Sequence, residues 1–273
     1  MDTSDLAKRM KDYESIPKTK LMRRTPVAIR IDGKAFHTFT RGFNKPFDDV
    51  LINAMQDTMK YLCENIQGCV LGYTQSDEIT LILVDYKRLN SSAWFDYEVQ
   101  KMCSIAASMA TMAFNKAFNE GVRHRNLDYY IAHATMDNPY PQDDLGQTYA
   151  VKAQMGAIFD ARCFNIPKGE VTNLVYWRQL DATRNSIQMV GQANFSHKEL
   201  QGKSCEKIKE MLITEKGISW ENFHPMYKHG SCCIKVTTET DGVTRSSWEI
   251  DKNIPLFIGE GREYIESLIQ SEE

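Results

Sequence analysis

The chain has 273 residues, 42% hydrophobic and 25% charged, with a formal net charge of −3. That composition is ordinary for a soluble globular protein and excludes a strongly basic whole-molecule field, so a nucleic-acid partner would need a local basic face. No apolar run reaches the roughly 18 residues of a membrane helix, and seven cysteines without a C-x-x-C pair predict free thiols in a reducing, cytoplasmic setting and no zinc site.

The N-terminal stretch MDTSDLAKRMKDYE is polar and lacks the apolar centre of a secretory signal. Residues 3–15 read as a short helix with Asp2, Thr3 or Ser4 as its cap. A β-prone run, 26–31, stops at Asp32-Gly33. Val50, Leu51, Met55, Met59 and Leu62 then fall at helical spacing within 48–66. Two strands, 69–74 and 79–84, flank the tetrapeptide QSDE, and a helix of about 25 residues is expected from Ser92 onward. On it Lys101, Ser104, Ser108, Thr111 and Asn115 form one polar stripe, either close packing through small residues or a functional face.

Residues 120–150 are polar and read as a loop, 157–160 as a strand and 170–187 as a helix. This order, β-α-β-β-α-β, predicts an α+β fold with a ferredoxin-like, polymerase-palm core. From about 195 the pattern changes to a helix, two strands (231–238 and 243–250) and a terminal helix. A palm-like domain over 1–190 and a C-terminal α/β extension over 191–273 are therefore expected.

In that core the first strand ends at Asp32, beside the hairpin tip that carries Asp77 and Glu78. Two carboxylates at adjacent strand ends make an oxygen-rich cradle for Mg²⁺ and a nucleotide phosphate. Gly33 permits a sharp turn that offers its carbonyl, and Lys34 brings a cation toward phosphate oxygens. Spacing alone leaves a plainer reading open, in which I-D-G is a common turn and the tip carboxylates are solvated.

The stretches RIDGKAFHTF, KPFDD, GYTQSDE, FDAR at 159–162 and YWRQLDATRNS at 176–186 resemble, in order, the motifs of the tRNA-histidine guanylyltransferase family. These enzymes add nucleotides to the 5′ end of tRNA in the 3′-to-5′ direction. The likeness runs over about residues 20–215 and implies a palm with an attached C-terminal region. It implies Asp32, the Gly33 carbonyl and Asp77 as ligands of two Mg²⁺ ions, with Glu78 either assisting catalysis or serving as a neighbouring hydrogen-bond partner. Lys34 and Ser76 are implied at the phosphates of the incoming GTP or ATP, and Phe36, His37, Lys45 and Asp48 in the nucleotide pocket. For His37 a structural role is the alternative. Arg30, Lys101, Arg162, Arg184 and Asn185 are implied at a second triphosphate or at RNA, where Arg162 and Arg184 could instead be salt-bridge partners of Asp160 and Asp181.

Members devoted to tRNA-histidine carry a His-x-Asn-Asn-type motif after W-R-Q-x-D. Here Asp181-Ala182-Thr183-Arg184-Asn185-Ser186 stands instead, resembling the branch called Thg1-like proteins. That branch implies templated repair of truncated tRNA 5′ ends. The implied partners are tRNA, nucleoside triphosphates and further copies of the chain, as a homotetramer. Lys18, Lys20, Arg23 and Arg24, and Lys198, Lys203, Lys207 and Lys209, are the basic clusters available to RNA. The rival readings are a nucleotide cyclase, whose usual G-G-D/E-E-F hairpin is missing, and a non-catalytic nucleotide- or RNA-binding module.

Overall fold

The computed structural model describes residues 2–240 and 243–271. Its N-terminal half comprises α1 (Asp5–Ser15), β1 (Val27–Gly33), α2 (Phe36–Phe39), α3 (Asp49–Asn65), β2 (Cys69–Gln75), β3 (Glu78–Leu83) and α4 (Val99–His133). There follow α5 (Asp144–Met155), β4 (Phe159–Asn165), α6 (Val171–Asn194), α7 (His197–Leu200), α8 (Cys205–Lys216) and α9 (Pro225–His229). The chain then forms β5 (Ser231–Thr240), β6 (Val243–Asp251) and α10 (Glu263–Glu266).

Six strands make one antiparallel sheet in the order β4-β1-β3-β2-β5-β6. Its first four strands, with α3 and α4, form the expected α+β core of ferredoxin-like, palm type. Alternation along β1 explains why the sheet is covered on both sides. Val27, Ile29 and Ile31 are fully buried against α3 and α4, while Ala28 joins Ile82, Leu71 and Val175 beneath α6. Burying each such aliphatic side chain contributes about 1.5–3 kcal/mol, so a register slip by one residue would invert both layers. Farther along α6, Ile187 and Val190 leave the sheet and pack with Ile208, Leu212 and Trp220.

Three sequence expectations change. The segment 120–150 is mostly helical, because α4 runs to His133 and α5 begins at Asp144. Phe114, Phe118 and Val122 continue the buried stripe of α4, and the polar residues that resembled a loop cover its solvent side. The same helix begins at Val99, seven residues after Ser92, because Phe95, Asp96 and Tyr97 adopt left-handed backbone in a tight turn, where Lys20 and Arg23 bind Asp96. Finally, β5 pairs with β2 through Gly72–Thr74, so the hairpin assigned to the C-terminal extension continues the palm sheet. Among the described residues no helix is long and apolar enough to cross a membrane.

Candidate active site

The β2–β3 hairpin closes in two residues, Ser76 and Asp77, and Ser76 takes the left-handed φ of 51° such a turn demands. Backbone hydrogen bonds seat this tip beside the end of β1: Gly33 N donates to Asp77 O at 3.1 Å, and Lys34 N to Ile158 O at 2.8 Å. Gly33 itself has no room for a side chain. A Cβ there would lie 2.2 Å from Cδ2 of Phe36, whose ring is fixed among Phe39, Phe114 and Phe159.

Asp32 pairs in register with Glu78 on one side and Asp160 on the other. The next row on the same face brings together Arg30, Arg162 and Thr80. Burial raises the Asp77 carboxyl above the usual aspartate range and Asp32 raises it further, while the hydroxyl of Ser76, bonded to Oδ1 at 2.9 Å, and the charge of His37 oppose the rise. Two mutually repelling carboxylates and a neighbouring carbonyl are hard oxygen donors. Among the described residues no group of three or more His, Cys, Asp or Glu side chains could hold a metal. A set this sparse suits Mg²⁺, which keeps water and phosphate oxygens in its shell, better than it suits zinc or calcium.

Glu78 sits differently from its neighbour. Its carboxylate accepts from Arg178 Nε of α6 at 2.7 Å and lies 4.0 Å from Arg30 Nε, both side chains of the Glu78–Arg178 pair being 9% exposed. Burial raises its carboxyl, and Arg178 is the largest opposing influence. Arg178 also donates to Asp181 at 2.9 Å. Glu78 therefore ties the hairpin tip to α6.

A cavity of about 680 Å³ opens beside the tip, within the size range of small-ligand sites. Gly33, Ser76 and Asp77 form one wall, and His37, Lys45 and Arg41 another. Its floor includes the buried pair Gln56 and Ser231, bonded at 2.7 Å, and α9 contributes Met226 and Tyr227.

The family model described as Thg1, tRNAHis guanylyltransferase, matches residues 7–167. The chain belongs to the tRNAHis guanylyltransferase family. Two solved structures of bacterial tRNA(His) guanylyltransferase (Thg1)-like protein, one in complex with ATP and one with GTP, are 39% and 35% identical to it, with TM-scores of 0.78 and 0.76. Each alignment covers 97% of this chain and 99% of the other. Uncharacterized protein R259 of Acanthamoeba polyphaga mimivirus is 29% identical over 87% of this chain and 80% of its own length.

In this tRNAHis guanylyltransferase-family chain the sequence candidates fall into three groups. Gly33, Phe36, His37, Lys45, Asp48, Ser76, Asp77 and Asn185 line the cavity, with Asp32 and the exposed Lys34 at its edge. Asp48 is committed structurally as the N-cap of α3, accepting from Leu51 N at 2.9 Å, Asn44 N at 3.0 Å and the Tyr149 hydroxyl. Phe36 offers the cavity only part of a ring that belongs to the core. Arg30, Glu78 and Arg162 lie on the sheet face beneath α6, where Arg162 pairs with Asp160 at 2.9 Å. Arg184 pairs with Asp181 at 2.9 Å, and Asn185 Nδ2 donates to the same carboxylate at 3.3 Å.

Lys101 stands apart, on the first turn of α4, with Nζ 4.7 Å from the Phe95 ring centroid. The lower part of its polar stripe is structural: Asn115 brackets Ala157 with two hydrogen bonds, and Thr111 Oγ1 accepts from Phe159 N. Arg23 is tied to buried Asp85 at 2.7 Å, and Lys20 and Arg23 to Asp96, which commits part of the first basic cluster to the fold. Sequence reasoning overlooked Arg178, although it lies in the YWRQLD motif, and it overlooked Gln56, a lone amide on the apolar side of α3. No local signal marks Ser231, Met226 or Tyr227: the β2–β5 pairing brings Ser231 to the cavity, and Tyr227 of α9 is seated there by its stack on Phe47 and its bond to Asp49.

Proposed function

We propose that this protein transfers nucleotides to the 5′ end of tRNA in the 3′-to-5′ direction. The observation that carries the reading is that the Gly33 N–Asp77 O bond seats the hairpin tip beside the end of β1, so that Asp32 and Asp77 are close enough to repel beside the 680 Å³ cavity. The likeness to Thg1-like proteins in complex with ATP and GTP supports that cavity as the seat of the incoming nucleotide. Its triphosphate meets Lys34, Lys45, Ser76 and His37, which supply cations and donors where negative charge is densest.

The 3′-hydroxyl of that nucleotide attacks the activated 5′ phosphorus of the RNA. A P–O bond forms as the bond to the leaving pyrophosphate or AMP breaks, and the hydroxyl proton is lost to solvent. Asp32, Asp77 and the Gly33 carbonyl are the ligands available to Mg²⁺, two ions in our reading, which when bound acidify the attacking hydroxyl and screen the phosphates. Asp32 and Asp77 also orient the reacting groups at one strand end, so no protein nucleophile is required. Arg30, Arg162 and Arg184 serve the RNA side of the carboxylates, Asn185 reaches the RNA end from the cavity wall, and Lys101 serves as a more remote phosphate contact.

Seven unpaired cysteines support a cytoplasmic setting. Exposed Leu127, Ile131, Met136 and Tyr140, toward the far end of α4 and just beyond, support self-association, and we assign a homotetramer. The D-x-x-R-N-S sequence supports templated repair of truncated tRNA over strict tRNA-histidine recognition. Its Thr183 contacts His229 of α9 at 2.9 Å.

The test is a 5′-extension assay on truncated and full-length tRNAs with each nucleoside triphosphate. Wild type should extend a truncated tRNA, whereas Asp32→Ala and Asp77→Ala, each folded by circular dichroism, should not. Extension by either variant would overturn the assignment of the carboxylates.

A further inference from the structure

The nucleotide cavity occupies one side of the Asp32/Asp77 carboxylates. On the other side, along the sheet face toward the edge strand β4, the indole of Trp177 stands 51% exposed on α6. A tryptophan is the costliest side chain to leave in water, and this one has a defined setting. The Arg178 guanidinium lies 4.5 Å from its ring centroid and that of Arg30 lies 5.8 Å away, yet half of the side chain stays open. Arg178 is itself locked by Glu78 and Asp181, so the guanidinium against the indole is fixed in place.

Arg30 adds an independent sign of a missing ligand. Its Nε is buried and, among the described residues, the sole such side-chain nitrogen or oxygen with no hydrogen-bond partner. Its nearest acid, Glu78, stands 4.0 Å away and is already engaged by Arg178. An orphaned buried donor costs free energy unless something else satisfies it. Arg30 is two residues before Asp32 on the same face of β1, about 7 Å along the strand. Arg162, half exposed, lies across from it on β4. An aromatic plate beside two guanidiniums, one nucleotide's length from the paired carboxylates, matches what a terminal nucleotide presents: a flat base and its phosphates.

We propose that Trp177 is the stacking platform for the base of the RNA's 5′-terminal nucleotide, whose phosphates meet Arg30 and Arg162. This rests on the proposed function and extends it, because it assigns the side from which RNA enters. The incoming nucleotide sits in the cavity between α2, α3 and α9, and the RNA end lies along the β4 side of α6. The two meet at Asp32 and Asp77. Stacking accepts any base, which is what templated addition at changing 5′ ends requires.

The experiment measures binding and 5′-extension of a 5′-triphosphorylated, truncated tRNA by wild type, Trp177→Ala and Trp177→Phe. It is repeated with the same RNA carrying an abasic 5′-terminal nucleotide. Trp177→Ala should weaken RNA affinity, and raise the KM for RNA, by roughly 5- to 100-fold. Trp177→Phe should retain most of the affinity, and ATP and GTP affinity should be unchanged in both.

With abasic RNA, wild type should fall to the level of Trp177→Ala, and that variant should lose nothing more. Equal RNA affinity of wild type and Trp177→Ala, or losses that multiply on the abasic RNA, would overturn the platform. If Trp177→Ala weakens binding but not even wild type extends any RNA, the platform stands and the transfer reaction falls. Failure of wild type to bind the RNA would overturn both.

Discussion

Arg178→Met tests whether the hairpin tip is held by a buried charge pair. In the native protein Arg178 and Glu78 are 2.7 Å apart with both side chains 9% exposed. Removing the guanidinium leaves a buried carboxylate whose remaining cation, Arg30, is 4.0 Å away. Breaking such a pair from one side costs about 3–5 kcal/mol, because the surviving charge is left unpaired in a poor solvent. The reverse change is milder. In Glu78→Gln, Arg178 keeps its 2.9 Å bond to Asp181, and the amide oxygen still accepts, so a cost of about 1–2 kcal/mol is expected.

The double variant should cost less than the sum of the two by about 1–3 kcal/mol. Urea unfolding followed by far-ultraviolet circular dichroism, in chelator so that metal binding does not enter, measures all three. A larger loss from Glu78→Gln than from Arg178→Met, or strict additivity, would refute the reasoning. In the extension assay Arg178→Met should also lower activity, since the tip that carries Asp77 loses its tether to α6.

Asp48→Ala should remove the N-cap of α3 and the bonds from Asn44 and Tyr149, lowering stability by about 2 kcal/mol. Unfolding curves unchanged by the substitution would show that this carboxylate serves the nucleotide alone. His229, half-buried at the C-terminal end of α9 with Nδ1 2.9 Å from Thr183 Oγ1, has its pKa lowered by burial first and by Lys228 second. A depressed folded pKa gives stability that is present above the unfolded histidine's pKa and lost as pH falls through the folded one. Unfolding from pH 7.5 to 5 should therefore show a loss in wild type that His229→Gln largely removes; equal pH profiles would refute it.

Short apolar runs ending at polar or glycine residues made β1, β2 and β3 legible, the pattern of strands that are covered on both faces. The tip was equally legible, since I-D-G and QSDE lie beside one another once the hairpin folds. What failed at 120–150 was composition, which cannot separate a loop from the wet side of a helix buried along Phe114, Phe118 and Val122. Likewise the motif marked Asp48 only for the nucleotide pocket, and its structural task appears when its oxygens accept from the Asn44 loop, the first turn of α3 and Tyr149 of α5.

By itself, then, the sequence determined the β-α-β-β-α-β order of the core, the acids at adjacent strand ends and the family, all of which depend on neighbours in the chain. Tertiary structure alone decided the rest. It turned Glu78 toward Arg178, 100 residues away, while Asp77 stayed at the cavity, so two adjacent carboxylates received different tasks. It also closed the cavity with Gln56, Ser231 and Tyr227, and left Trp177 open beside Arg30. These outcomes depend on which faces meet across the sheet, and a local pattern encodes only that a face is apolar or polar, not what will be packed against it.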